Sequence, residues 1–121
     1  MNKELYEKGL KIRREVVGDA YVDASLKNAD DFSMPMQELV TQYCWGDVWA
    51  RPGLDRKTRS LITLSMIAAH NPTPELRAHI RGALNNGVAR EEIREIFLQV
   101  AVYCGMPAGL GSFKAAKEVF A

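Results

Sequence analysis

A chain of 121 residues is about one domain long and is large enough to bury a core without disulfide or metal staples. Sixteen basic against fifteen acidic residues leave a net charge of +1 with both signs dispersed, which excludes a basic track for nucleic acid. The longest apolar run, residues 61–69, is broken by Thr63 and Ser65 and is too short to span a bilayer, and the charged N-terminus lacks a signal-peptide core; no membrane contact and a cytoplasmic location are expected.

Leu5, Tyr6, Leu10, Ile12 and Val16 recur at helical spacing and predict a helix over residues 3–17, with Gly9 as a weak spot and Gly18 placed to end it in a left-handed cap. Asp19 is placed to cap a short second helix through Leu26. Beyond Asn28-Ala-Asp-Asp, the residues Phe32, Met36, Leu39, Val40 and Tyr43 predict a longer third helix carrying Tyr43, Trp45 and Trp49. Arg51-Pro-Gly breaks the chain, and Asp55 sits well to cap a helix over residues 56–69 whose apolar residues fall on nearly every side, predicting a central position. Asn71-Pro-Thr-Pro reads as a turn, with Thr73 as the cap and Pro74 as the first residue of a fifth helix ending at Gly87. Ile93, Ile96, Phe97, Val100, Ala101 and Cys104 then form the most regular apolar stripe of the chain, and Gly105-Met-Pro107 stops it. A last helix is expected over residues 108–120. The sum is one all-α domain, residues 1–121, of six to seven helices, with no alternating strand pattern and no internal repeat.

His79 shares three-and-four spacing with Leu76, Ile80, Ala83 and Leu84, so it is expected to point inward. An imidazole titrating near neutrality suits proton transfer, although from position alone a hydrogen-bonded core histidine is the plainer reading. His70, at a helix end, reads as a favourable charge on the dipole. Trp45, Trp49 and Arg51 place two indoles and a guanidinium at a helix-to-loop junction, which fits either an apolar wall with a carboxylate clamp or an aromatic packing patch. Arg56, Lys57 and Arg59 crowd a helix start, where the macrodipole disfavours cations and anionic partners are wanted. Cys44 and Cys104 belong to no CxxC pair and read as reduced, packed thiols. Two histidines and two isolated cysteines do not compose a metal site, and no nucleotide-binding motif occurs, so no metal and no cofactor are expected.

Four blocks carry a resemblance: Trp45-Gly-Asp-Val-Trp49-Ala-Arg51-Pro-Gly-Leu-Asp55-Arg-Lys-Thr-Arg59-Ser60, Glu75-Leu-Arg-Ala-His79-Ile-Arg-Gly-Ala-Leu-Asn-Asn-Gly87, Glu91-Glu-Ile-Arg-Glu95 and Tyr103-Cys-Gly-Met-Pro107. In this order and spacing the chain resembles the carboxymuconolactone decarboxylase family, from about residue 5 to the C-terminus. The resemblance implies the all-helical alkylhydroperoxidase-D-like fold, whose redox branch places a CxxC pair one helical turn before a histidine and a glutamate on an earlier helix. Counting from His79, Pro72 and Glu75 fill the cysteine positions and the glutamate position falls near Ser60. A thiol relay cannot run without thiols, so a peroxide-reducing role is excluded and His79 remains as the shared element.

The chemistry implied is decarboxylation of 4-carboxymuconolactone to the enol-lactone of β-ketoadipate, in aromatic catabolism. The electrons released with CO₂ spread through a double bond onto the lactone carbonyl, so the substrate carries its own electron sink. With that resemblance, His79 is expected to be the proton donor, Arg51 and Arg59 the carboxylate and oxyanion contacts, and Trp45 and Trp49 the apolar wall. Ser60, Glu95, Tyr103 and Cys104 are further pocket candidates. The expected partners are a small dicarboxylate lactone and other copies of the chain, in a trimer or hexamer. The alternatives are a paralogue acting on another lactone or keto acid, and a non-catalytic oligomeric module in which Trp45 and Trp49 make subunit contacts.

Overall fold

The computed structural model describes residues 1–70 and 74–121, and among these the chain is all-α, as the patterning predicts. The helices are α1 (Lys3–Val17), α2 (Asp19–Lys27), α3 (Met34–Leu39), a π-helical segment (Val40–Val48), α4 (Arg56–Ala69), α5 (Pro74–Asn85), α6 (Arg90–Cys104) and α7 (Met106–Phe120). Chain contacts divide them into two compact units, Met1–Leu54 and Asp55–Ala121.

In the first unit α1 packs along the π-helical segment. Asn2 caps α1 by accepting from the Leu5 N–H at 3.0 Å, and Ile12, Val16 and Val17 turn inward against Val22 of α2, Trp45 and Trp49. Gly9, a weak spot by propensity, is a contact point here: a Cβ at Gly9 would collide with the Thr41 carbonyl, and one at Gly46 would meet the Leu5 carbonyl at 2.5 Å. Two glycines thus let the backbones touch. The core also encloses polar groups. Buried Arg13 donates through Nη1 to Gln37 Oε1 at 3.0 Å and Thr41 Oγ1 at 3.2 Å, and burial lowers its pKa.

Four expectations for this unit are corrected. Gly18 ends α1 at φ 93° and ψ 151°, an extended positive-φ conformation rather than a left-handed helical one, and Gly18, not Asp19, is the cap residue of α2. The long third helix is a short α3 followed by a wider coil, in which the Trp49 N–H reaches five residues back to the Cys44 carbonyl at 2.9 Å. Phe32, 93% exposed, and also Met36, Leu39 and Tyr43 lie outside the core, because the buried face runs instead through Thr41, Gln42, Trp45 and Gly46.

The second unit packs α4 to α7 around an aliphatic core in which Leu64, Leu76, Ile80, Ile93 and Phe97 are wholly buried, each worth about 1.5–3 kcal/mol in apolar burial. Asp55 caps α4 as expected, accepting from the Thr58 N–H at 2.7 Å, and Pro74 opens α5. The Thr73 cap and the Asn71-Pro-Thr turn lie outside the described residues. Glu92 closes the start of α6 by accepting from the Ala89 N–H at 2.9 Å, and that bond holds its carboxyl below the usual range.

Ile62 and Met66 leave one side of α4 uncovered, so its apolar residues do not all serve the core. The α6 stripe faces the core through Ile93, Phe97 and Val100, but Cys104 is exposed. Gly105 alone, at φ 111°, links α6 to α7, which starts at Met106 with Pro107 in its first turn rather than at residue 108. The reversal is tight: a Cβ on Gly109 would overlap Ala101, so α6 and α7 meet at backbone distance there.

Candidate active site

Helix α5 positions His79. Leu76, Ile80 and Ala83 carry the helix into the core. At 3.6 residues per turn His79 lies about 60° from Leu76 and about 40° from Ala83, on the side away from Ile80. Gly82, also buried, lies about 60° to its other side, so His79 stands between buried positions and faces inward as expected, itself half-buried. A half-buried imidazole combines packing with some access, which suits proton transfer.

Asn86 lies two turns on from His79 along the same face. Its Nδ2 donates to Ser60 Oγ at 2.9 Å and lies 3.5 Å from the Arg56 carbonyl, joining the end of α5 to the first turns of α4. Ser60 is buried, and its hydroxyl is fixed by that amide. The only hint in the sequence was an asparagine directly before the glycine that ends the helix. Arg59 neighbours Ser60 on α4 and is half-buried, with its Nε enclosed. Among the cations at this helix start, Lys57 has the anionic partner the dipole argument asks for, Glu92 Oε1 at 3.3 Å.

The remaining predicted residues divide between the two units. Trp45 and Trp49 stack at 4.9 Å between centroids with a 33° tilt and are buried in the core of the first unit, and Cys44 beside them has its thiol pKa pushed up by burial. Arg51 follows on an exposed stretch, its Nη1 3.4 Å from Asp47 Oδ1. In the second unit, Tyr103, 82% exposed, and Cys104 share a hollow of about 240 Å³ with Ser65, Ile96 and Gln99, whereas Glu95 is exposed beside Arg94, its Oε2 3.5 Å from Arg94 Nε. Among the described residues no group of three His, Cys, Asp or Glu side chains is arranged to hold a metal ion, and no helix is long and apolar enough to cross a membrane.

Among the described residues the protein is all-α, with a half-buried histidine on α5 and no CxxC pair in the sequence. The sequence pattern of the carboxymuconolactone decarboxylase family matches residues 35–118. A nitrosuccinic acid decarboxylase of Metarhizium robertsii is 51% identical over 108 residues, covering 89% of this chain and 76% of the relative. A 4-carboxymuconolactone decarboxylase of Acinetobacter baylyi is 41% identical over 119 residues, covering 98% of this chain and 89% of the relative. The chain belongs to the carboxymuconolactone decarboxylase family, and decarboxylation is the activity these two relatives share.

Proposed function

We propose that the protein is a carboxy-lyase for a substituted succinate whose departing carboxylate sits on a carbon joined to an oxygen-terminated electron sink, with 4-carboxymuconolactone as one such substrate. The observation that carries this reading is His79, half-buried on α5, in a chain whose relatives over most of its length are decarboxylases. The substrates named by those relatives differ in skeleton but agree in chemistry. In 4-carboxymuconolactone the carbon that loses CO₂ also bears a carboxymethyl arm, and its bonding pair flows through a double bond onto a lactone carbonyl. In nitrosuccinic acid the same carbon bears a carboxymethyl arm and a nitro group that takes up the pair directly. Each reaction breaks one C–CO₂ bond, holds the pair as an oxyanion, and ends when a proton is delivered to carbon.

The protein's tasks are then to anchor the retained carboxylate, stabilise the oxyanion and deliver the proton. His79 is assigned the proton transfer. Arg59, partly enclosed on the first turns of α4, is assigned to an anionic oxygen. Nitrosuccinic acid is the second candidate substrate, favoured by the 51% identity of that relative. Incubation with each compound, following CO₂ release, is the test. At least one is expected to turn over, and His79→Asn is expected to slow it by about 10²-fold, the usual weight of a general acid. Release from neither, or a His79→Asn variant as fast as the parent, would overturn the reading.

The same reading includes assembly of the chain with copies of itself. Val102 and Tyr103 at the end of α6, with Met106 and Leu110 at the start of α7, are large apolar side chains left exposed close together in sequence, a pattern that commonly marks a contact surface. Light scattering is expected to give a multiple of 13.5 kDa; a monomer would refute it.

A further inference from the structure

The second unit has a hollow away from His79, of about 240 Å³, between the first two turns of α6 and the last two of α7. It has room for about eight waters at liquid density, which is the scale of a fragment rather than of a drug-sized ligand. One wall is aromatic. Phe97 and Phe113 meet edge to face, 6.3 Å between centroids at 65°, and Phe120 continues the wall. Three cations, Arg90, Arg94 and Lys117, line the same space against the single carboxylate of Glu91.

The nearby acids do little to neutralise that excess. Glu92 is turned to the Ala89 N–H and Lys57, and Glu118 pairs with Arg77 at 3.1 Å. Glu95 touches Arg94 only at 3.5 Å, in an exposed pair of sequence neighbours, an arrangement that contributes little. Arg90 lies over the Phe120 ring, 4.5 Å from its centroid, so its charge is held at the aromatic wall rather than swinging through solvent. Among the described residues neither Arg90 nor Lys117 forms an ion pair.

We propose that this hollow is a binding site for a small carboxylate with a planar apolar body, the size of benzoate, with its ring against Phe113 and Phe120 and its carboxylate toward Arg94 and Lys117. An inorganic anion would use the cations and leave the rings unpaired. A neutral aromatic would use the rings and leave the charges to water. Only a ligand with both features satisfies the whole lining. His79 is not part of that lining, so the site is separate from the residue assigned to proton transfer and the proposal does not depend on the substrate being identified.

The test is titration of the ¹⁵N-labelled full chain with sodium benzoate, benzamide and inorganic phosphate, read from backbone amide shifts. Benzoate is expected to shift residues 90–97 and 113–120 saturably, with benzamide and phosphate each at least about tenfold weaker, as befits loss of a charge-assisted contact or of the ring contact. The double variant Arg94→Gln, Lys117→Gln should weaken benzoate by about tenfold or more. Arg94→Gln alone should give a smaller loss of the same kind and serves if the double variant does not fold. Shifts that fail to saturate, benzamide binding equal to benzoate, benzoate shifts centred on residues 75–83 instead, or unchanged affinity in the variants would each overturn the proposal.

Discussion

The two units of this chain solve the same problem, burying a helix face, by different means. The first relies on backbone contact at Gly9 and Gly46, a stacked indole pair, and a buried guanidinium shared between Gln37 and Thr41. The second has one such close approach, Gly109 on Ala101, but relies mainly on interlocked apolar side chains around Phe97, with the hydrogen bond from Asn86 to Ser60 as a polar tie. The difference teaches where each unit tolerates change. An apolar core tolerates volume-conserving swaps but not lost volume, whereas backbone contact and enclosed polar groups tolerate no added atom and no lost partner.

The largest effect is expected in the aliphatic unit. Phe97→Ala removes a wholly buried ring and should cost about 3–5 kcal/mol, read as a fall in the urea midpoint of helical ellipticity; a loss under 1 kcal/mol would mean that the core collapses onto the gap, contrary to the packing described. Next comes Gly9→Ala, a single methyl directed at the Thr41 carbonyl. It should cost about 1–3 kcal/mol despite the better helix propensity of alanine. Both tryptophans lie in the first unit, so their emission is the readout for this variant. A stabilised protein would show that the α1 contact is looser than the backbone positions indicate.

The smallest effect separates the units by pH. Helix α1 is capped by Asn2, which does not titrate, and α4 by Asp55, whose carboxyl is held below the usual range by the hydrogen bond from the Thr58 N–H. A lowered folded pKa contributes stability in full above the ordinary aspartate value of about 3.9, and that contribution is lost as pH falls through the folded value. Asp55→Ala is therefore expected to differ from the parent near neutrality and to converge with it in acid, while the deficit of Asn2→Ala persists. Parallel urea midpoints across pH decide it, and an Asp55→Ala deficit that survives acidification would remove the charged cap from the account.

Much of this was legible along the chain. The α-helices among the described residues, the Asp55 cap and the opening of α5 at Pro74 follow from local signals that depend on only a few neighbouring residues. His79 stood out because a polar side chain on an apolar stripe breaks a short-range rule. The π-helical turns did not, since residues 40–48 read as ordinary helix by spacing and the wider hydrogen-bond ladder leaves no mark in composition. Asn86 was likewise silent, because its partner Ser60 is 26 positions away.

The sequence by itself determined the helical class, the helix boundaries within a few residues, the absence of a CxxC pair and the family, all of which rest on local spacing and residue type. Only the tertiary structure decided which glycine is a contact rather than a weakness, which serine is tied to which asparagine, and that His79, on the buried side of α5, is itself only half-buried. The physical reason is range. Helix formation is settled among residues three and four apart, whereas burial and hydrogen-bond partnership are settled by whatever the rest of the chain brings against that helix.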